Sequence, residues 1–209
     1  MNVIMDYITL ALPDSVQRTV EGLKARAFEP IVVENGAEAL ELVKTLIPKG
    51  ASVMNGASVT LEQMGFVDYL KSGQHGWNNL HAGILAENDT EKRHHLRTQS
   101  SLSDYYLGSV HALSETGEMV IASNTGSQLP HLVYTSPNLI LVVGTQKIVP
   151  TLEAAIERLH KHVVPLEDEH MKQLYGSGTT LNKTIILHGE SQMMKRTVKV
   201  ILVNEKLGF

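Results

Sequence analysis

Along most of this chain, apolar residues at helical spacing alternate with short β-branched runs, a pattern that restricts the fold to a largely parallel sheet covered by helices. Val16, Val20, Leu23 and Ala27 follow Asp14, read as an N-terminal cap, and mark a first helix ending near Phe28. Ile31-Val32-Val33 reads as a buried strand. Asn35 with Glu38 three residues on then opens a helix whose stripe of Leu40, Val43, Leu46 and Ile47 stops at Pro48. Ala51 to Met54 repeats the strand, and Asn55-Gly56 turns it into a helix beginning near Ser58 or Thr60. Lys71 to His81, rich in Gly, Asn and His, reads as a loop, and a helix follows over Asp89 to Ser100.

The second half holds three strong apolar runs, Leu107 to Leu113, Met119 to Ala122 and Leu139 to Val143. Ser114 to Glu118 fits a tight turn between the first two, an antiparallel strand pair, with Gly117 at positive φ. A helix is expected from about Pro150 to His160, with the proline in its first turn, and Thr184 to Leu187 with Val198 to Val203 as a final strand pair. No repeat or linker interrupts the pattern, so the 209 residues are read as one domain, 1–209.

Composition narrows the function classes. An apolar content of 43% suffices to bury a core, and a net charge of -4 offers no basic surplus for nucleic acid. The absence of cysteine removes thiolate nucleophiles, disulfides, cysteine zinc sites and iron-sulfur clusters, and a cytoplasmic protein is the simplest expectation. Met1 to Pro13 carries Asp6 and lacks the basic lead and cleavage site of an export signal; no run reaches the ~20 apolar residues of a membrane span.

In parallel α/β sheets, ligands gather where strands end at their carboxyl edge. Three segments are candidates. In Asn55 to Leu61, Gly56 permits close backbone approach, and the hydroxyls of Ser58 and Thr60 can hold an anion or carbonyl; Thr60 with Gln63 as a plain capping box is the alternative. Ala122 to Pro130 gathers small polar groups around Gly126, Ser127 and Gln128. In Gly144-Thr145-Gln146-Lys147, Lys147 supplies a positive charge for a ligand or for a carboxylate such as Glu115, unless it is merely a solvated lysine. The first two segments are expected side by side, because their strands read as parallel neighbours. Trp77, the only tryptophan, is either a lid over this crevice or a plug at the sheet edge. Three Glu-x-x-His pairs, Glu91 with His94, Glu157 with His160 and Glu167 with His170, stand against about one by chance; outside a helical bundle they do not make a metal site, and none is assigned.

The runs Val53 to Leu61, Ser72 to Trp77, Gly108-Ser109-Val110-His111-Ala112, Gly126 to Pro130, Val142 to Val149 and Val203 to Phe209 resemble the LUD family, proteins associated with lactate utilization. The resemblance spans nearly the whole chain. It implies a three-layer α/β fold, a mostly parallel sheet with helices on both faces, like that of sugar-phosphate isomerases and CoA transferases. Together with the loops read above, it points to a protein binding or acting on a small carboxylate, acyl or phosphorylated metabolite; the candidate ligand contacts, Gly56, Ser58, Thr60, His111, Gly126, Ser127, Gln128 and Lys147, come from this chain's own segments, since the family carries over no agreed catalytic residue set. The cluster-bearing members of the family oxidise lactate within multi-subunit systems, so this cysteine-free chain would need protein partners for redox work; no cofactor is assigned, and homo-oligomerisation stays open. One alternative is a noncatalytic assembly subunit. The other is a CoA-transferase-like enzyme, because Ser114-Glu115-Thr116-Gly117 resembles a Ser-Glu-Asn-Gly signature, with Glu115 as covalent nucleophile and Thr116 in place of Asn.

Overall fold

The computed structural model describes residues 6–209. The reading of Met1 to Pro13 as lacking an export signal therefore falls partly outside the described residues. In chain order the elements are α1 (Pro13–Ala25), β1 (Glu29–Val33), α2 (Gly36–Leu46), β2 (Ser52–Asn55), α3 (Val59–Gln63), α4 (Phe66–Ser72), β3 (Asn78–Asn79), α5 (Leu80–Ala86), α6 (Thr90–Ser100), β4 (Tyr105–Gly108), β5 (Ala112–Ser114) and β6 (Met119–Ser123). Then come β7 (Asn138–Gly144), β8 (Ile148–Val149), α7 (Leu152–Arg158), α8 (Val164–Tyr175), β9 (Lys183–Leu187) and β10 (Thr197–Val203).

Six strands form one parallel sheet in the order β1-β10-β7-β4-β2-β3. Its central strands β7 and β10 are apolar on both faces, as a strand covered on both sides must be. Ile140, Val142, Ile201 and Val203 face a core with α2, α3 and α4, whereas Leu139, Leu141, Val143, Val200 and Leu202 face a second core with α1. That second face is also covered by a smaller mixed sheet, ordered β8-β5-β6-β9. Its strands alternate too: Leu113, Met119 and Ile121 point at the large sheet, and Ala112 and Val120 point outward at α7. The arrangement is an α/β fold with a mostly parallel six-stranded sheet, a mixed sheet and helices around both. Each of these buried Leu, Ile, Val and Met side chains contributes about 1.5–3 kcal/mol relative to exposure.

Local chemistry sets most boundaries. Asn35 accepts from Glu38 N–H (3.0 Å) while Glu38 accepts from Glu34 N–H (3.0 Å), closing the start of α2. Gly117 does sit at φ +94 in the turn between β5 and β6.

Several expectations are corrected. Helix α1 begins at Pro13, so Asp14 lies inside its first turn and Leu12 is the cap residue. The segment Lys71 to His81 contains β3 and the start of α5, with Trp77 buried among Phe66, Tyr69 and His75 and its Nε1 donating to the Ile47 carbonyl (3.1 Å). Thr151 caps α7 and leaves Pro150 outside it, and the helix does not stop at His160: a π turn, Leu159–Val163, carries it directly into α8. The wider turn lies just before Pro165, whose ring would meet the Lys161 carbonyl in an unbroken α-helix. Finally, β9 and β10 do not pair with one another; β9 runs antiparallel to β6 and β10 lies between β1 and β7. Among the described residues, no helix is long and apolar enough to cross a membrane.

Candidate functional site

Strands β2, β4 and β7 end on the same edge of the parallel sheet, and the segments leaving them converge on a pocket of about 360 Å³. Gly56 to Thr60 follow β2, Gly108 ends β4 and Ser109 to His111 follow it, Lys147 follows β7, and Gly208 and Phe209 follow β10. The small sheet adds Ala122 to Thr125, Ser127 and Gln128. Leu159, Val163, Glu167 and Met171, from the π turn and α8, form the opposite wall. One side is thus lined by hydroxyls and amides and the other is largely apolar, the usual make-up of a small-molecule site.

The structure brings the two glycine-hydroxyl segments together, although β2 and β6 belong to different sheets. A Cβ on Gly56 would stand 2.5 Å from the Tyr106 hydroxyl and 3.0 Å from Gln128 Oε1. Gln128 is itself tied to its own loop, its amide donating to the Ala122 carbonyl (3.0 Å). Ser58 rather than Thr60 caps α3, accepting from Leu61 N–H (3.4 Å), and Gln63 accepts from Gly208 N–H (2.6 Å) instead of closing a capping box. Ser127 lines the pocket. Gly126, at φ +87 against the Lys183 side chain, supplies the turn and does not line it.

Lys147 is not a solvated lysine. It is 3% exposed, and its Nζ donates to Thr60 Oγ1 (2.9 Å), Ser109 Oγ (3.1 Å) and the Val110 carbonyl (3.2 Å). Behind it lies Arg158, fully buried, donating to the carbonyls of His111 and Tyr7, with its Nε unpartnered. Among the described residues neither cation has a carboxylate within 4.0 Å. Burial, followed by the repulsion of Arg158, lowers the Lys147 ammonium to about 7. His111 accepts from Ala122 N–H at Nδ1 (3.0 Å), so its neutral ring carries the proton on Nε2. Burial, then Lys147 and Arg158, hold that ring neutral by lowering its pKa to about 3. Among the described residues Glu167 is the one acidic side chain lining the pocket, and burial pushes its pKa upward.

Glu115 is not brought to this pocket. It lies under α1, accepting from Arg18 Nε (2.5 Å) and Ser15 Oγ (2.6 Å), and the Arg18 hydrogen bond holds its pKa below the usual carboxylate range. It is neither paired with Lys147 nor placed to attack a ligand there. Trp77 likewise packs in the core beside α4 and is no lid. Among the described residues, no three metal-ligating side chains converge. Sequence reasoning missed Ser109, Arg158 and Glu167. Only Glu167 carried a signal, and that signal was a Glu-x-x-His spacing pointing to metal.

These features define an α/β protein with a polar, cation-floored pocket at the carboxyl edge of its parallel sheet. The LUD domain profile matches residues 16–203, and the chain belongs to that family, which is associated with lactate utilization. The crystal structure of a DUF162 family protein from Deinococcus radiodurans, at 1.70 Å resolution, is similar in fold: TM-score 0.56, 14% identity, covering 94% of this chain and 100% of that one. No curated protein matches the chain.

Proposed function

We propose that this protein binds a small anionic metabolite, a carboxylate, acyl or phosphorylated compound, as part of lactate utilization. The observation that carries this reading is the Lys147 ammonium, buried at the pocket floor with no carboxylate partner among the described residues and with Arg158, likewise without one there, as a second cation behind it. A buried charge without a counter-charge is costly, and an anionic ligand supplies what the protein lacks. Thr60 and Ser109 strengthen the arrangement. Each accepts from Lys147, and the bonds their own O–H groups donate, from Thr60 to the Leu207 carbonyl (3.3 Å) and from Ser109 to the Val110 carbonyl (3.4 Å), are long ones that a ligand oxygen can replace. A noncatalytic assembly subunit would have this crevice filled by side chains, whereas here about 360 Å³ is open.

A thermal-shift panel of lactate, other short carboxylates, phosphate esters and acyl-CoA tests the reading. A ligand at about a hundred times its Kd adds roughly 2.7 kcal/mol, a rise of about 5–10 °C for a domain of this size. Failure of every anion in the panel to move Tm would reject the proposal.

A further inference from the structure

We propose that Lys147 is a nucleophile that forms an imine with a small 2-oxo acid held in the pocket at the carboxyl edge of the parallel sheet. The proposal rests on reading that pocket as an anion site and adds a covalent step to it. Five of the chain's other lysines have a carboxylate at hand: Lys44 with Glu41, Lys71 with Asp68, Lys161 with Glu157, Lys172 with Asp168 and Lys199 with Glu29. An adjacent carboxylate keeps an amine protonated and unreactive. Lys147 has none. Its charged neighbour is instead the buried Arg158, and desolvation beside a second cation is the environment that favours a free amine on lysine.

The surroundings suit attack on a carbonyl. Lys147 is sealed from bulk solvent except through the pocket it lines. Gly208 leaves open one approach to the nitrogen, since a Cβ at that position would stand 2.9 Å from Nζ. Thr60 and Ser109, at 2.9 and 3.1 Å, accept from the ammonium, and their protons, held only by long bonds to the Leu207 (3.3 Å) and Val110 (3.4 Å) carbonyls, can be exchanged onto a ligand carboxylate. Glu167 lines the same pocket, with a carboxyl that burial keeps protonated to higher pH than usual.

The step balances without an oxidant or reductant. The ammonium first releases a proton to solvent through the pocket mouth. The nitrogen lone pair then forms a bond to C2 of the oxo acid and the carbonyl π pair moves to oxygen; the nitrogen gives up one proton and the oxygen takes one, which leaves a neutral carbinolamine with its nitrogen lone pair restored. Protonation of the new hydroxyl, by the Glu167 carboxyl that lines the same pocket or by water entering it, lets it leave as water while the nitrogen lone pair closes the C=N bond.

The test is borohydride trapping on the intact protein at pH 7 with 2-oxobutanoate, followed by peptide mapping. Reduction should fix on Lys147 one ligand less one oxygen atom, at about tenfold or more the level found on exposed Lys71, which is paired with Asp68. Butanoate, which has the carboxylate but no ketone, is run beside it by thermal shift. Stabilisation by both acids with Lys147 labelled no more than Lys71 would overturn the imine and leave the anion site standing. Neither stabilisation nor label would overturn both.

Discussion

Lys147 and Arg158 place two positive charges inside the protein without a negative one beside them, and the consequences differ between the two. Replacing Lys147 by Met removes an unpaired buried charge in a similar volume. Stability should then change by no more than about 1 kcal/mol or rise, while affinity for a carboxylate falls by about tenfold or more. Denaturant unfolding and a binding isotherm on the same preparation separate the two effects; a strongly destabilised variant would mean that the ammonium is structural. Arg158→Ala should instead cost about 2–4 kcal/mol, because it strands the carbonyls of His111 and Tyr7 and opens a cavity; the shift of the denaturation midpoint measures this. How far these roles were legible depends on the residue. Lys147 follows an unmistakable buried strand, and the small polar loops stand out by composition. Arg158 reads as an ordinary solvated helix position, because nothing local signals that Ala155 and Leu159 beside it pack under the small sheet.

Helix α1 reaches the turn between β5 and β6 through two glycines. A Cβ on Gly22 would stand 2.6 Å from the Thr116 carbonyl carbon, and one on Gly117 would stand 2.5 Å from that of Gly22. Gly22→Ala should therefore cost about 1–3 kcal/mol by overpacking, although alanine is the better helix former in isolation. A midpoint equal to the parent's in a denaturant titration would show that the helix can lift off the turn freely. The turn glycine was visible in the sequence, since Gly117 sits between two apolar runs. Its helix partner was not, because Gly22 owes its constraint to a residue about a hundred positions away. The same limit explains β9 and β10. Both runs read as strands from their β-branched residues, yet only the tertiary layout sends one to each sheet. Helix α8 was hidden behind Pro165, which normally ends a helix but here follows a π turn.

At the scale of the whole molecule, the buried bases make stability depend on pH. His111 and His131 are held neutral by burial, with pKa values lowered to about 3 and about 4, while in the unfolded chain histidine titrates near 6.5. Between those values the unfolded chain binds more protons, so stability should fall steadily as pH drops from about 6.5 to 3. Lys147 extends the trend: stability should rise again between about pH 7 and 10.5, where only the unfolded state keeps its proton. Thermal unfolding across this range measures both limbs, and a flat Tm from pH 4 to 6.5 would contradict the burial of the two imidazoles. The general plan of the molecule was legible because a strand covered on both faces has an unmistakable composition. The mixed sheet lying between the parallel sheet and α7 was not, since its strands are only two to five residues long.

The central claim is that the pocket at the sheet edge is an anion site built on Lys147. Isothermal titration of butanoate into the parent protein and the Lys147→Met variant tests it most directly. The account predicts saturable one-to-one binding by the parent and a loss of about tenfold or more in the variant. Equal affinity in the two proteins would contradict it.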